Sequence, residues 1–154
     1  KGDIADRECV FKLFEEEIPE IRDGIVEIKS ISREPGSRTK LAVYSNNPNI
    51  DPIGSCIGAK GTRVQSIVDE LNGEKIDIVK YSEDPREFIT ASLNPAEVIS
   101  LEVDTENKEA YVVVPENQLS LAIGKEGQNA RLAARLTGWK IDIKPESGFW
   151  VVEE

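Results

Sequence analysis

The sequence predicts an α+β chain of two tandem domains, each a three-stranded sheet with helices on one face. Three observations predict it. First, a unit occurs twice: Ile57-Gly-Ala-Lys-Gly61 returns as Ile123-Gly-Lys-Glu-Gly127, and Lys75-Ile-Asp-Ile78 returns as Lys140-Ile-Asp-Ile143, a spacing the size of a small domain. Second, apolar residues switch in the same order in both copies between helical spacing and strand-like alternation. Third, each glycine loop is bracketed by two helical stretches and followed by a strand.

The elements follow in order. Phe11 to Ile21 carries apolar residues at helical spacing: Phe11, Phe14, Ile18 and Ile21. Pro19 ends or kinks this helix and Gly24 stops it. Runs from Ile25 and from Lys40 alternate as half-buried strands do, and Pro35-Gly36-Ser37 turns between them. Asn46 to Pro52 is a polar loop. A short helix over 53–57 leads into the glycine loop. A second helix runs from Thr62 to Leu71, Gly73 caps it, and Lys75 to Tyr81 is the third strand. In the second copy Asp84-Pro85 opens a helix with proline in its first turn, running through Phe88, Ile89 and Leu93 to Asn94-Pro95. Val98 to Asp104 and Glu109 to Pro115 are strands that turn at Thr105 to Lys108. A helix over 117–123, the second loop, a helix over 128–136, Gly138 and a strand from Trp139 to Lys144 complete the copy. The predicted domains are 1–81 and 82–148. Residues 149–154 form a C-terminal tail outside the motif, expected to pack on the domain or on a neighbour.

Composition bounds the function. The chain has 154 residues, 39% hydrophobic and 31% charged, enough apolar matter for a core. Histidine is absent, which removes serine–histidine and cysteine–histidine nucleophile systems and the commonest metal ligand. No Cys-x-x-Cys, calcium-loop or P-loop pattern occurs. The expectation is a protein that is not an enzyme and needs no cofactor or metal. No run approaches the roughly 18 apolar residues of a membrane span, and no signal peptide is visible. Cys9 and Cys56 cannot build a disulfide framework; they fit a reducing cytoplasm, each read as a small buried apolar residue. The chain opens on Lys1 and contains no methionine, so it reads as part of something longer.

A lone Gly-x-x-Gly is a weak signal, because glycine ends helices by adopting positive φ. Here the loop joins two helices, so the free N–H groups of the second helix point outward with its dipole, which suits phosphate. Glycine lacks a Cβ, so a sugar-phosphate backbone can come close. A lysine, Lys60 or Lys125, sits inside each loop, and the arrangement occurs twice.

Ile-Gly-x-x-Gly between two helices, followed by a strand, resembles the KH domain, whose loop clamps the backbone of single-stranded nucleic acid. The extra helix and strand before the core resemble the type II arrangement. Leu119 to Ile143, with Val112-Val-Val-Pro115 before it and the stretch from Glu17 to Arg38 upstream, resembles the tandem KH region of the NusA family of bacterial transcription termination and antitermination factors. The resemblance covers about Val10 to Lys144. It implies a single-stranded RNA partner, the nascent transcript, held by two KH domains of a monomer. It also implies RNA polymerase as a partner of the full-length protein, with other antitermination factors in the same assembly. The polymerase-binding and OB-fold domains that precede the KH pair in that family are not in this sequence.

The same resemblance places the candidate RNA-binding residues. In the first domain Ile57, Gly58, Ala59, Lys60 and Gly61 form the loop, Arg63 and Val64 follow it, and Ile76, Asp77 and Ile78 lie on the third strand. In the second, Ile123, Gly124, Lys125, Glu126 and Gly127 form the loop, Gln128, Asn129 and Arg131 follow, and Ile141, Asp142 and Ile143 are the strand residues. Loop amides and lysines take phosphates, Arg63 and Arg131 reach the backbone, apolar walls including Ala130 meet base faces, and the strands read base edges. Each has a bland alternative: Ile57 and Ile123 as core, Val64 and Ala130 at the core boundary, Asp77 and Asp142 as solvent-facing strand positions, Trp139 as packing. Glu126 is of the wrong sign for phosphate.

The net charge of −10 opposes nucleic-acid binding. Its distribution softens that, because residues 1–23 (net −4) and 81–115 (net −6) hold the excess, while 24–80 (+1) and 116–154 (−1) are nearly neutral. A reader of single strands is expected, with little duplex binding. The alternative is a protein-interaction module with a KH-like fold that does not bind RNA and meets a basic partner through its acidic segments.

Overall fold

The computed structural model describes residues 4–148 and 151–153. The chain divides into two compact units, Lys1–Tyr81 and Ser82–Glu154.

In the first unit α1 (Ile4–Glu17) and α2 (Pro19–Arg22) precede β1 (Val26–Glu34) and β2 (Arg38–Ser45). Then come α3 (Pro52–Ile57), α4 (Thr62–Glu70) and β3 (Lys75–Lys80). Ile18, extended at φ −115° and ψ 106°, breaks the first helix because proline follows it. Arg22 then caps the severed end, its Nη1 donating to the carbonyls of Glu16 (2.8 Å) and Glu15 (3.3 Å). Val10, Phe14, Ile18 and Ile21 face the sheet and pack with Val26, Leu41, Val43, Cys56 and Ile67. The helical stripe thus begins at Val10, one residue before the expected Phe11, which lies on the exposed side. Cys9 is exposed as well, against expectation, while Cys56 is buried and its thiol is pushed up to about 12 by that burial.

The second unit repeats the order with α5 (Pro85–Ser92), β4 (Ser100–Asp104), β5 (Glu109–Val114), α6 (Leu119–Ile123), α7 (Gln128–Thr137) and β6 (Lys140–Pro145). Its core joins Ile89 and Leu93 to Val112, Val114, Ala133, Trp139, Ile141 and Ile143. Trp139 packs as expected. Two of the helices that open on proline, α3 and α5, share one device: Asp51 accepts from the Ile53 N–H (3.1 Å) and Asp84 from the Arg86 N–H (3.0 Å).

Both sheets are mixed. β1 runs antiparallel to β2, with a bulge between Ile28 and Ser30, while β2 and β3 are parallel. β4, β5 and β6 repeat this pattern. A parallel pair cannot be joined by a hairpin, so the two helices and their glycine loop form the crossover. α3 and α4 lie against β3, and α6 and α7 against β6. One difference from expectation is a fourth strand in the second sheet: β7 (Val151–Glu153), from the predicted tail, pairs antiparallel with β6.

Candidate nucleic-acid interface

The two glycine loops have nearly one backbone. Gly58 takes φ 79° and ψ 173°, Lys60 φ 57° and ψ 27°, and Gly61 φ 76° and ψ 14°. Gly124 takes φ 84° and ψ 170°, Glu126 φ 55° and ψ 30°, and Gly127 φ 78° and ψ 9°. In each, the second glycine N–H donates to the carbonyl of the first at 3.1 Å. The first glycine is required by contact as well as by φ. A Cβ at Gly58 would stand 2.6 Å from Arg63 Cγ, and one at Gly124 2.5 Å from the Asn129 nitrogen. Around Gly61 a Cβ would meet nothing within 4 Å, which leaves room for another backbone. No side chain caps α4 or α7; the first N–H of each, at Thr62 and Gln128, donates to the carbonyl of Ala59 or Lys125 in the loop, and the positive end of each helix dipole lies at its loop.

The match of backbones shifts the pairing of side chains. Lys60 occupies the third loop position, where the second unit has Glu126; Lys125 occupies the second, where the first unit has Ala59. All four are exposed. Each loop therefore presents one lysine, from a different place. Gln128 opens α7 half-buried.

Arg63 and Arg131 are not equivalents either. Arg63 stands at the position of Asn129, and both work as struts. Arg63 Nη1 donates to the Ser55 carbonyl (2.9 Å) and to Glu20 Oε1 (2.8 Å). Asn129 Nδ2 donates to the carbonyls of Ala122 (2.9 Å) and Leu93 (3.1 Å). Each ties the helix after the loop to the helix before it and to the unit's opening helices. Arg63 is thus engaged beneath the loop, and Asn129 and Gly127 are buried, away from any strand laid on the surface. Arg131 instead follows its loop, donating to the Glu126 carbonyl at 3.0 Å.

The apolar walls differ between units. Ile57, Val64, Ile76 and Ile78 are half-buried, leaving a partly open apolar strip between the loop helices and β3. In the second unit Ile123 is half-buried, but Ala130, Ile141 and Ile143 are wholly buried.

The two strand aspartates, expected to face solvent or RNA, do neither freely. Asp77 accepts from Arg38 Nε (2.8 Å) and Nη2 (2.9 Å) and from Lys40 Nζ (3.0 Å), and Lys40 is fully buried. Burial alone would raise the Asp77 carboxyl; the hydrogen bonds and charges of Arg38 and Lys40 outweigh it and hold it below the ordinary value. At Asp142 the partners are gone. Glu109 stands in register where Arg38 does and Tyr111 where Lys40 does. The Tyr111 hydroxyl donates to Glu109 (2.6 Å), and Asp142 Oδ1 is buried without a hydrogen-bond partner. Burial raises the Asp142 carboxyl, Lys140 opposes weakly and Glu109 adds to the rise. A carboxyl raised on folding contributes stability below its unfolded value and loses it as pH rises. Asp142→Asn should therefore stabilise the second unit by about 1 kcal/mol at pH 7, and by almost nothing below about pH 3.5. Asp77→Asn should destabilise the first unit at pH 7. Urea unfolding followed by tryptophan fluorescence reads the first change, since Trp139 and Trp150 both lie in the second half. A loss of stability at pH 7 in Asp142→Asn would contradict it.

Among the described residues no group of acidic or cysteine side chains could hold a metal, and no helix is long and apolar enough to cross a membrane.

Comparison with known proteins adds the following. The profile of a NusA-like first KH domain matches residues 5–81, and that of a NusA-like second KH domain residues 85–149. The chain is 61% identical over 136 residues to the transcription termination/antitermination protein NusA of Halalkalibacterium halodurans, covering 88% of this chain and 36% of that protein. It is 58% identical over 140 residues to the NusA of Thermus thermophilus, covering 91% and 36%. The chain thus spans little more than a third of the length of these relatives. Among solved structures, the crystal structure of APE1850 shares the fold with a TM-score of 0.61 at 23% identity, over 89% of this chain and 95% of that one.

Proposed function

The chain belongs to the NusA-like tandem KH family, and from that membership we propose that it binds single-stranded RNA through the Gly-x-x-Gly loop of each unit, within a larger transcription termination and antitermination factor. The observation that carries this reading is the pair of loops: one unusual backbone made twice, each time with an uncapped helix start and one exposed lysine. In each unit about four nucleotides are clamped, with phosphates on the loop amides and on Lys60 or Lys125 and with Arg131 beside the second loop. In the first unit the bases fall toward Ile57, Val64 and the outer edge of β3, where unpaired main-chain groups read their edges. A duplex hides those edges, so selection for single strands follows from the chemistry. Two linked sites raise affinity through effective concentration. The strand bound is the nascent transcript in the cytoplasm; RNA polymerase and other antitermination factors are partners of the longer protein.

The test is fluorescence anisotropy with labelled single-stranded RNAs, a random-sequence pool and duplex RNA. Few cations are presented and the chain is acidic overall, so log affinity against log salt should fall with a slope of about −2, at about −0.7 per neutralised phosphate. Duplex binding as tight as single-strand binding, or no binding at low salt, would overturn the reading; the second outcome would turn attention to a protein partner.

A further inference from the structure

We propose that β7 is a strap that closes the second RNA cleft, occupying the edge of β6 that would otherwise read bases, and that RNA must displace it to bind there. This rests on the reading of the clefts given above. Val151 pairs with Ile143, Val152 with Asp142 and Glu153 with Ile141, the same three strand residues that would face RNA. Among the described residues no strand lies beside the equivalent edge of β3 in the first unit.

An edge strand offers one outward row of N–H and C=O groups, and it can pair with a base edge or with another strand but not with both. The burial of the walls agrees. Ile141, Ile143 and Ala130 are all 0% exposed, while their counterparts Ile76, Ile78 and Val64 remain half-open. The second loop is nonetheless intact, with Lys125 exposed. The second unit thus holds an open phosphate clamp beside a shut base groove. A strand of three paired residues is short enough to be exchanged for a ligand that makes equivalent main-chain bonds.

The test uses the Lys60→Asp variant, which silences the first loop so that the second cleft is read, and a form of it lacking residues 149–154. With labelled random-sequence octanucleotide RNA, removal of the strap should tighten binding about tenfold, as expected if the cleft is open about a tenth of the time with the strap present. A peptide of sequence GFWVVEE added to the shortened form should weaken its binding again. Hydrogen exchange on the unaltered chain gives a measurement that needs no deletion: RNA should speed exchange at the amides of residues 151–153. Binding that is present but no tighter in a folded shortened form, or strap amides that stay protected when RNA occupies the second loop, would make β7 a permanent part of the sheet. RNA binding by none of these forms, the unaltered chain included, would overturn the reading of the clefts and the strap with it.

Discussion

Exchanging both loop lysines, Lys60→Asp together with Lys125→Asp, should weaken single-stranded RNA binding by about a hundredfold, about 3 kcal/mol from two reversed phosphate contacts. The fold should survive. Both side chains are exposed, and at Lys60 (φ 57°) aspartate is among the residues that tolerate the left-handed region. The two single variants should differ. Lys60→Asp leaves the first loop with no cation, but Lys125→Asp places two acids in series with Glu126 and makes the second loop repel phosphate outright. Anisotropy at one fixed salt concentration, with urea unfolding as the control, measures this. Unchanged affinity in the double variant, with stability intact, would remove the loops from the binding site.

Replacing Glu74 by alanine should destabilise the first unit by about 3–5 kcal/mol, the range for breaking one partner out of a buried ion pair. Glu74 is 1% exposed and joins four parts of the unit. It accepts from Arg33 Nε (3.0 Å) and Nη2 (2.9 Å) on β1, from the Gly36 N–H (3.0 Å) in the turn, and from the Thr39 hydroxyl on β2, just ahead of β3. Arg33 also donates to the Asp6 carbonyl (2.6 Å), so α1 is tied to the same point. Alanine strands Arg33, whose side chain is 10% exposed. Burial would raise the Glu74 carboxyl, but the bonds from Arg33, Thr39 and Gly36 prevail and lower it. Its stabilisation is therefore complete above about pH 4.5 and is lost as pH falls through the depressed folded value, so natural chain and variant should converge in acid. Hydrogen exchange in β1–β3 reads the loss, while tryptophan fluorescence from the second unit should barely change. A loss under about 1 kcal/mol would show that the network contributes little.

Much of the fold was legible because its signals are local. Asp-Pro pairs start α3 and α5, glycines end the loop helices, and alternation marks the strands. The repeat located both loops. What escaped the sequence depends on partners far along the chain. Lys60 and Lys125 look equivalent as lysines in matching motifs, yet the backbone sets Lys60 against Glu126. Arg63 reads as a surface cation until Glu20 and the Ser55 carbonyl are found within its reach. Lys40 and Asp77 look like solvent-facing strand residues because alternation reports faces, not what covers them. The partners of Glu74 lie 35 to 41 positions away along the chain, and Asp6 lies 27 from Arg33, beyond any periodicity. β7 was hidden because three strand residues after a turn carry almost no pattern.

The parallel pairing of β2 with β3, and of β5 with β6, dictates an order of assembly while the chain is being synthesised. β1 and β2 meet through a tight turn and can zip in about 1–10 µs. β3 cannot join until everything from Asn46 to Glu74 has emerged and closed on itself, with the entropy cost that closure carries. The strand whose edge completes the groove is thus the last piece of the first unit to dock, and in the second only β7 follows it. A ribosome-bound chain acquires its clefts in two steps, the first after Lys80 leaves the exit tunnel and the second after Pro145, and before each step the glycine loop exists without a groove beside it.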